Sequence, residues 1–199
     1  MDSTPSQSPA GDGARDGSEG SSKPKKPDGG SKSAKRCKPN CGDSEPYPSG
    51  LDEESLSPDG LGPIRIGMTK SEAANAAGVE LVLVGDDFGR CEFAGVAGDP
   101  EGVSMMLLSG VVSRIDIEAG PVQTAGAIGI GSSAQEVFDA YPREIERVTD
   151  VYGVRQLLYT PSDPESREYS MLFSLGNRDN VTHFRAGLKE PVEYAEGCV

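Results

Sequence analysis

The chain has no tryptophan and only one histidine, His183, among its 199 residues. A single imidazole excludes a metal site built from several histidines and limits histidine-based acid–base catalysis to one residue. No G-x-S-x-G sequence is present to place a serine nucleophile beside it. We therefore predict that the protein is not an enzyme and that it uses no cofactor and no metal ion.

Long apolar runs are also missing. No stretch approaches the roughly 18–20 apolar residues that a transmembrane helix requires. The net charge of −13 argues against nucleic acid and anionic membrane surfaces as partners of the folded part.

The first 50 residues contain no Val, Ile, Leu or Phe, and 25 of them are Ser, Gly or Pro. Such a segment has too little apolar surface to offset the conformational entropy lost on folding, so we predict a disordered tether over residues 1–57. Its first 50 residues hold 8 basic and 7 acidic residues, whereas residues 51–199 hold 11 and 25, a net charge of −14. We interpret the basic run at 23–38 as a solvated linker; the alternative is adhesion to an anionic envelope polymer or lipid headgroups.

Met1 is followed directly by Asp2-Ser3-Thr4-Pro5, with neither the basic nor the apolar region of a signal peptide. A long polar tether is nevertheless typical of exported proteins, in which it spaces a domain from a membrane. Our hypothesis is that the natural precursor carried a leader, with a lipid-bearing cysteine just before Asp2. We accordingly expect an extracytoplasmic protein, secreted or tethered as a lipoprotein, that meets the membrane only through such an anchor.

The folded part shows an internal repeat. Residues 62–78 and 126–142 align at an offset of 64 with six identical positions, and the same offset pairs 99–101 with 163–165. Collinear matches over about 60 residues indicate two copies of one unit. We predict a first repeat over 58–122 and a second over 123–199.

Each repeat combines a short helix with antiparallel strands, which gives an α+β fold. Thr69-x-x-Glu72 and Ser133-x-x-Glu136 fit the capping box that begins a helix. Ser109-Gly110 is typical of a tight hairpin. The predicted strands are 81–84, 91–93, 103–108 and 111–117 in the first repeat, and 152–160, 169–175 and 181–185 in the second. Each helix is expected to pack on one face of the sheet.

Alternation along the strands assigns their side chains to faces. Ile115, Ile117 and Phe184 are placed beneath the helices. The opposite face is expected to be open to solvent, and its charged or polar residues are the candidate binding determinants. They are Arg114, Asp116, His183 and Arg185, with Glu118 beside them.

Four cysteines allow three full pairings. We predict a Cys91–Cys198 disulfide, because it would secure a C-terminus that otherwise frays and would join the two repeats. For Cys37 and Cys41 we expect a local disulfide within the tether. A zinc site there would need two more ligands, and a redox role would need a folded scaffold.

The sequence I-x-I-G-M-T-x-x-E-A at 64–73 resembles the start of the SmpA/OmlA lipoprotein domain, a small fold of outer-membrane assembly. Two such units in tandem are similar to the beta-lactamase-inhibitory-protein fold, in which helices pack on one face of a curved sheet in each half. The resemblance covers about 140 residues and extends to exported actinobacterial lipoproteins of unassigned function. It implies fold more than activity, because its motifs concern turns and caps.

Together these observations lead us to expect a non-enzymatic binding or scaffolding module that acts as a monomer through the open sheet face. Its partner would be a protein or another cell-envelope component. The alternative is a secreted inhibitor of an extracellular hydrolase, which would use the same face together with the loop at 85–90.

Overall fold

Two β-sheets and three α-helices form the part of the chain that the computed structural model describes, residues 50–85 and 89–198, with the backbone alone at 99–101. The predicted α+β class is confirmed. The helices are α1 (Lys70–Ala77), α2 (Ala134–Ala140) and α3 (Lys189–Glu193). The strands are β1 (Ser55–Ser57), β2 (Gly60–Leu61), β3 (Ile64–Arg65), β4 (Leu81–Val84), β5 (Cys91–Val96), β6 (Asp99–Leu108), β7 (Val111–Ile117), β8 (Gln123–Thr124), β9 (Ile145–Thr149), β10 (Arg155–Tyr159), β11 (Tyr169–Leu175) and β12 (Val181–Leu188).

The larger sheet has eight antiparallel strands in the order β4-β5-β6-β7-β12-β11-β10-β9. Its two halves, β4–β7 and β9–β12, meet where β7 pairs with β12, with Ile117 opposite Phe184 and Ile115 opposite Ala186. The predicted hairpin between β6 and β7 is present, and both Ser109 and Gly110 have positive φ (53° and 83°). Two positive φ values suit a two-residue turn whose twist matches that of the strands.

The seam between β7 and β12 depends on a glycine. Gly187 has φ +151°, and a Cβ there would overlap the carbonyl oxygen of Ser113 and lie 2.7 Å from the Cα of Arg114. We predict that Gly187→Ala lowers the free energy of unfolding by at least about 2 kcal/mol, because the side chain must push the two halves apart. Gly98→Ala is the control, since Gly98 also has positive φ (+94°) but open space around it. Equal losses in urea unfolding of the two variants would contradict the close approach.

Capping boxes begin both longer helices, as predicted. The Thr69 hydroxyl accepts from the amide of Glu72 (3.3 Å), and the Glu72 carboxylate accepts from the amide of Thr69 (2.8 Å). Ser133 and Glu136 repeat the arrangement at α2, at 3.3 and 2.7 Å. These backbone hydrogen bonds, with those from the cap hydroxyls, lower the pKa of Glu72 and of Glu136.

The main core lies between these helices and one face of the large sheet, here called the first face. Ile115, Ile117 and Phe184 are fully buried there, as the alternation predicts, with Ala73 of α1 and Val137 of α2. An aromatic row runs through the core at centroid spacings of 4.7, 6.1 and 5.8 Å. Its members, in order, are Tyr159, Tyr141, Phe173 and Phe184.

A small sheet, in the order β3-β2-β1-β8, extends the folded domain towards the N-terminus. Its strand β1 pairs in parallel with β8, and both Leu51 and Leu56 are buried in the core. The predicted tether boundary at residue 57 is therefore too late, because these two leucines supply apolar surface that the first 50 residues lack. Residues 1–49, with the basic run and the predicted Cys37–Cys41 pair, lie outside the described residues.

Candidate binding surface

The C-terminal segment crosses the face of the large sheet opposite the helices α1 and α2. This second face carries Arg114 and Asp116. The segment 189–198, here called the C-terminal strap, begins directly after β12, and its helix α3 packs on β7, β11 and β12. Pro191 and Val192 are buried against the sheet. The strap thus gives the second face a cover of its own.

This cover overturns the predicted exposure of the binding residues. Arg114, Asp116 and Arg185 do lie together on adjacent strands, but their exposed fractions are only 3%, 4% and 7%. His183 is half-buried, and Glu118 is exposed. Alternation along a strand identifies the face correctly, but it contains no information about a distant segment that folds back over that face.

Arg114 is the residue that connects the second face to the strap. Its Nε donates to Oδ2 of Asp116 (2.9 Å), and its Nη1 donates to the carbonyl oxygen of Pro191 (2.9 Å). Its guanidinium also lies over the ring of Phe93, 5.6 Å from the centroid. Arg114 and Asp116 therefore position the strap rather than present themselves to a partner.

Arg185 is a second buried cation on this face. It lies opposite Asp116 in the β7–β12 register. Burial and then the positive charge of Arg114 lower its pKa to about 10. Among the described residues, the Arg185 Nε and the Ser170 Oγ are the buried side-chain atoms without a hydrogen-bond partner. The negative charges of Asp116, Glu118 and Asp150 act on Arg185 in the opposite direction and favour its charged form.

A disulfide fastens the end of the strap, and the predicted pairing is confirmed. Cys91 of β5 is bonded to Cys198, with their Cα atoms 5.4 Å apart and a sequence separation of 107. Next to it, Gly197 packs against the ring of Phe93, where a Cβ would approach to 3.2 Å. The bridge thus joins the end of the strap to the half of the sheet formed by β4–β7.

Two adjoining pockets follow the strap, and together they form what we call the groove. The first has a volume of about 470 Å³, and its walls include Leu108, Tyr194 and the disulfide. The second has a volume of about 240 Å³, with a floor that includes Leu158 and Leu172. Val151 and Ala195 line both pockets and join them.

The turn between β9 and β10 forms the rim of the groove. The Asp150 carboxylate accepts hydrogen bonds from the amides of Tyr152 (2.9 Å) and Val154 (2.8 Å), and Gly153 has φ +84°. This turn leaves Val151 83% and Tyr152 64% exposed. Neither residue was predicted as a binding determinant, since Tyr152 was expected to begin a strand. The sequence feature that indicates this rim is an apolar pair, Val151 and Tyr152, between Asp150 and Gly153. Asp and Gly are residue types typical of turns.

Carboxylates surround this apolar rim. Asp150 and Glu193 line the second pocket, and Glu196 lines the first. No group of three or more His, Cys, Asp or Glu side chains in the described part of the chain is arranged to hold a metal ion. The groove therefore offers apolar contact and negative charge.

Comparison with known proteins shows a distant likeness in shape. No protein-family model and no curated protein matches the chain. The crystal structure of the uncharacterised protein YfeY from Escherichia coli aligns with a TM-score of 0.45 at 16% sequence identity, covering 67% of this chain and 99% of that one. Within the described residues, no helix is long and apolar enough to cross a membrane.

Proposed function

We propose that this protein is an extracytoplasmic, non-enzymatic binding module that holds a polypeptide segment in the groove. The observation that carries the proposal is the exposure of Val151 and Tyr152 beside pockets with apolar walls. Single exposed apolar residues are ordinary on protein surfaces, but a cluster beside a concave apolar site is typical of an interaction surface. Tyr152 and Tyr194 add aromatic area with a polar tip, which suits binding surfaces.

The charge around the groove specifies the partner's chemistry. Asp150, Glu193 and Glu196 lie on its walls, and residues 51–199 carry a net charge of −14. A complementary partner presents an apolar side chain between lysine or arginine residues. We therefore propose a basic, apolar-centred segment of an envelope or secreted protein as the occupant, bound by a monomer of this chain.

The compartment is part of the proposal, and the disulfide supports it. Structural disulfides persist in oxidising compartments and are rare in the cytosol. A module outside the cytoplasm that is tethered through residues 1–49, with a lipid on its precursor, would have both the bridge and a reason for a long polar segment. Mass spectrometry of the protein from its native envelope fraction tests the anchor.

We also propose that the two halves of the large sheet descend from one repeated unit. Each half has four consecutive strands, β4–β7 and β9–β12, and each is preceded by a helix with a capping box. The central pairing of β7 with β12 places the last strand of each half side by side. These features support the repeat at 58–122 and 123–199 that the offset of 64 predicts.

Binding in the groove is tested with a fluorescent nonapeptide that has a leucine- and phenylalanine-rich centre and lysines at both ends. We expect Val151→Ser to weaken its binding about tenfold, equivalent to about 1.4 kcal/mol, because the valine side chain no longer packs against the peptide. Leu83→Ser is the matched control, since Leu83 is also an exposed apolar residue but lies outside the groove linings. Fluorescence polarisation measures both.

A second peptide, with glutamates in place of the lysines, tests the proposed charge complementarity. We expect it to bind at least tenfold more weakly, with a difference that shrinks as salt rises. Equal affinities of the two peptides, or equal losses in Val151→Ser and Leu83→Ser, would refute the proposed function.

A further inference from the structure

We propose that the Cys91–Cys198 bond is a redox switch for the groove, and that a dithiol reductant opens it by releasing the C-terminal strap. The strap supplies Tyr194, Ala195 and Glu196 to the groove walls, so its release dismantles the binding surface. The consequence for binding rests on the proposed function; the release of the strap does not.

Helix α3 packs on the sheet, but residues 195–198, at the end of the strap, have few interactions with it other than the disulfide. The amide of Lys189 donates to the carbonyl oxygen of Glu168 (2.8 Å), and Arg114 donates to Pro191. Helix α3 has five residues and no side-chain cap. Among the described residues, no backbone hydrogen bond joins 195–198 to the sheet. Such a short helix is marginal without tertiary support, so the end of the strap depends on Cys198.

The surface beneath the strap favours its departure. The Arg185 Nε and the Ser170 Oγ are buried without partners, and they belong to β12 and β11, two of the strands against which α3 packs. Buried donors without partners cost free energy that hydration would recover. Opening the strap would hydrate both groups, which offsets part of the cost of exposing the apolar surface of Val192.

The bond borders the groove, where Cys91 is partly exposed and Cys198 is buried, so we propose that a reductant reaches it through Cys91. Both cysteines line the first pocket, next to Leu108 and Tyr194. One thiolate of the dithiol attacks a sulfur of the bridge, and the other cysteine leaves as a thiolate. The second thiol of the reductant then attacks the mixed disulfide, and the remaining cysteine leaves as a thiolate. Two electrons and two protons pass to Cys91 and Cys198, and the dithiol becomes a disulfide.

The sheet itself does not need the bridge. Cys91 lies on β5, which pairs with β4 through Val96, Gly95, Ala94 and Phe93 and with β6 along its length. The main core lies on the first face, away from the strap. Reduction therefore frees the strap and leaves the remaining fold in place.

The experiment uses the full chain with Cys37→Ser and Cys41→Ser, so that one disulfide remains. Amide hydrogen exchange is followed by mass spectrometry with and without dithiothreitol. We expect exchange at 189–198 to rise at least tenfold on reduction, while exchange in β11 stays within twofold. Adding Cys91→Ser and Cys198→Ser is expected to give the rapid exchange without any reductant.

Unchanged exchange at 189–198 in both the reduced and the cysteine-free protein would overturn the switch. Equally rapid exchange in β11 would also overturn it, because the bond would then hold the whole domain. Peptide binding separates the two proposals. If the oxidised protein binds and reduction leaves affinity unchanged, the switch fails. If reduction releases the strap but the oxidised protein does not bind the peptide, the proposed function is refuted and the switch is not.

Discussion

Replacing Asp116 by asparagine is expected to lower the free energy of unfolding by about 3–5 kcal/mol, because it leaves the buried Arg114 without its ion-pair partner and removes one of the carboxylates that act on Arg185. Asp116 is 4% exposed, and its carboxylate accepts from Arg114 at 2.9 Å. A surface ion pair would contribute far less, about 0–1 kcal/mol. Urea unfolding followed by circular dichroism measures the loss.

Arg185→Met is the matched control for this prediction. It removes the second cation and its unpartnered Nε, so that Arg114 and Asp116 remain as a neutral pair. Because Asp116 keeps Arg114 as its ion-pair partner, no carboxylate is left buried and unpaired, and we expect stability to be kept or raised. A loss as large as that of Asp116→Asn would show that the buried charge of Arg185 stabilises the fold, contrary to this account.

A second large effect is expected in the main core. Phe173→Ala removes one of the two inner rings of the aromatic row, which lies 5.8 Å from Phe184 and 6.1 Å from Tyr141. Large-to-small changes at buried aromatic positions cost about 3–5 kcal/mol, through reduced apolar burial and the cavity left behind. In a domain of this size that lowers Tm by about 6–20 °C.

Tyr152→Ala provides the comparison, because this aromatic side chain is mostly exposed. Its removal is expected to change Tm by less than about 2 °C, since exposed substitutions stay within about 0.5 kcal/mol. A calorimetric scan in which both variants lose the same stability would contradict the assignment of Phe173 to the core and Tyr152 to the rim.

The features that follow from local chemistry were predictable from the sequence. Thr69 and Glu72 indicate a helix start because a capping box involves only four residues. Ser109-Gly110 indicates a hairpin for the same reason. Alternation along β7 places Ile115 and Ile117 on one face, and the structure agrees. The pairing of Cys91 with Cys198 is a long-range feature, and it was predicted because it would secure a C-terminus that otherwise frays.

Features that depend on distant segments were not predictable. Strand β1 has only three residues, and it pairs with the two-residue β2 on one side and with β8, about 70 residues later in the chain, on the other. Its short sequence does not by itself indicate a strand. Strand β9 reads Ile-Glu-Arg-Val-Thr, without a clear alternation of apolar and polar residues, and it forms the edge of the sheet.

The candidate site also has a part that the local sequence predicts and a part that depends on a distant segment. Sequence alternation brought Arg114, Asp116 and Arg185 to one face, and they do lie together there. Their burial comes from the strap, whose Lys-Glu-Pro-Val-Glu helix is mostly charged and has only Pro191 and Val192 to bury. The strap forms part of the groove wall beside Val151. The sequence near Val151 contains no information about the strap, so it does not identify this residue as part of a rim.

Chemical-shift mapping by NMR tests binding at the groove most directly. The oxidised, isotope-labelled protein is titrated with the lysine-flanked nonapeptide, and the amide shifts are followed residue by residue. We predict that the largest changes in amide chemical shift occur at 149–152, at 193–197 and at Leu108. Changes centred instead on α1, α2 or the small sheet, with the groove amides unmoved, would contradict binding at the groove.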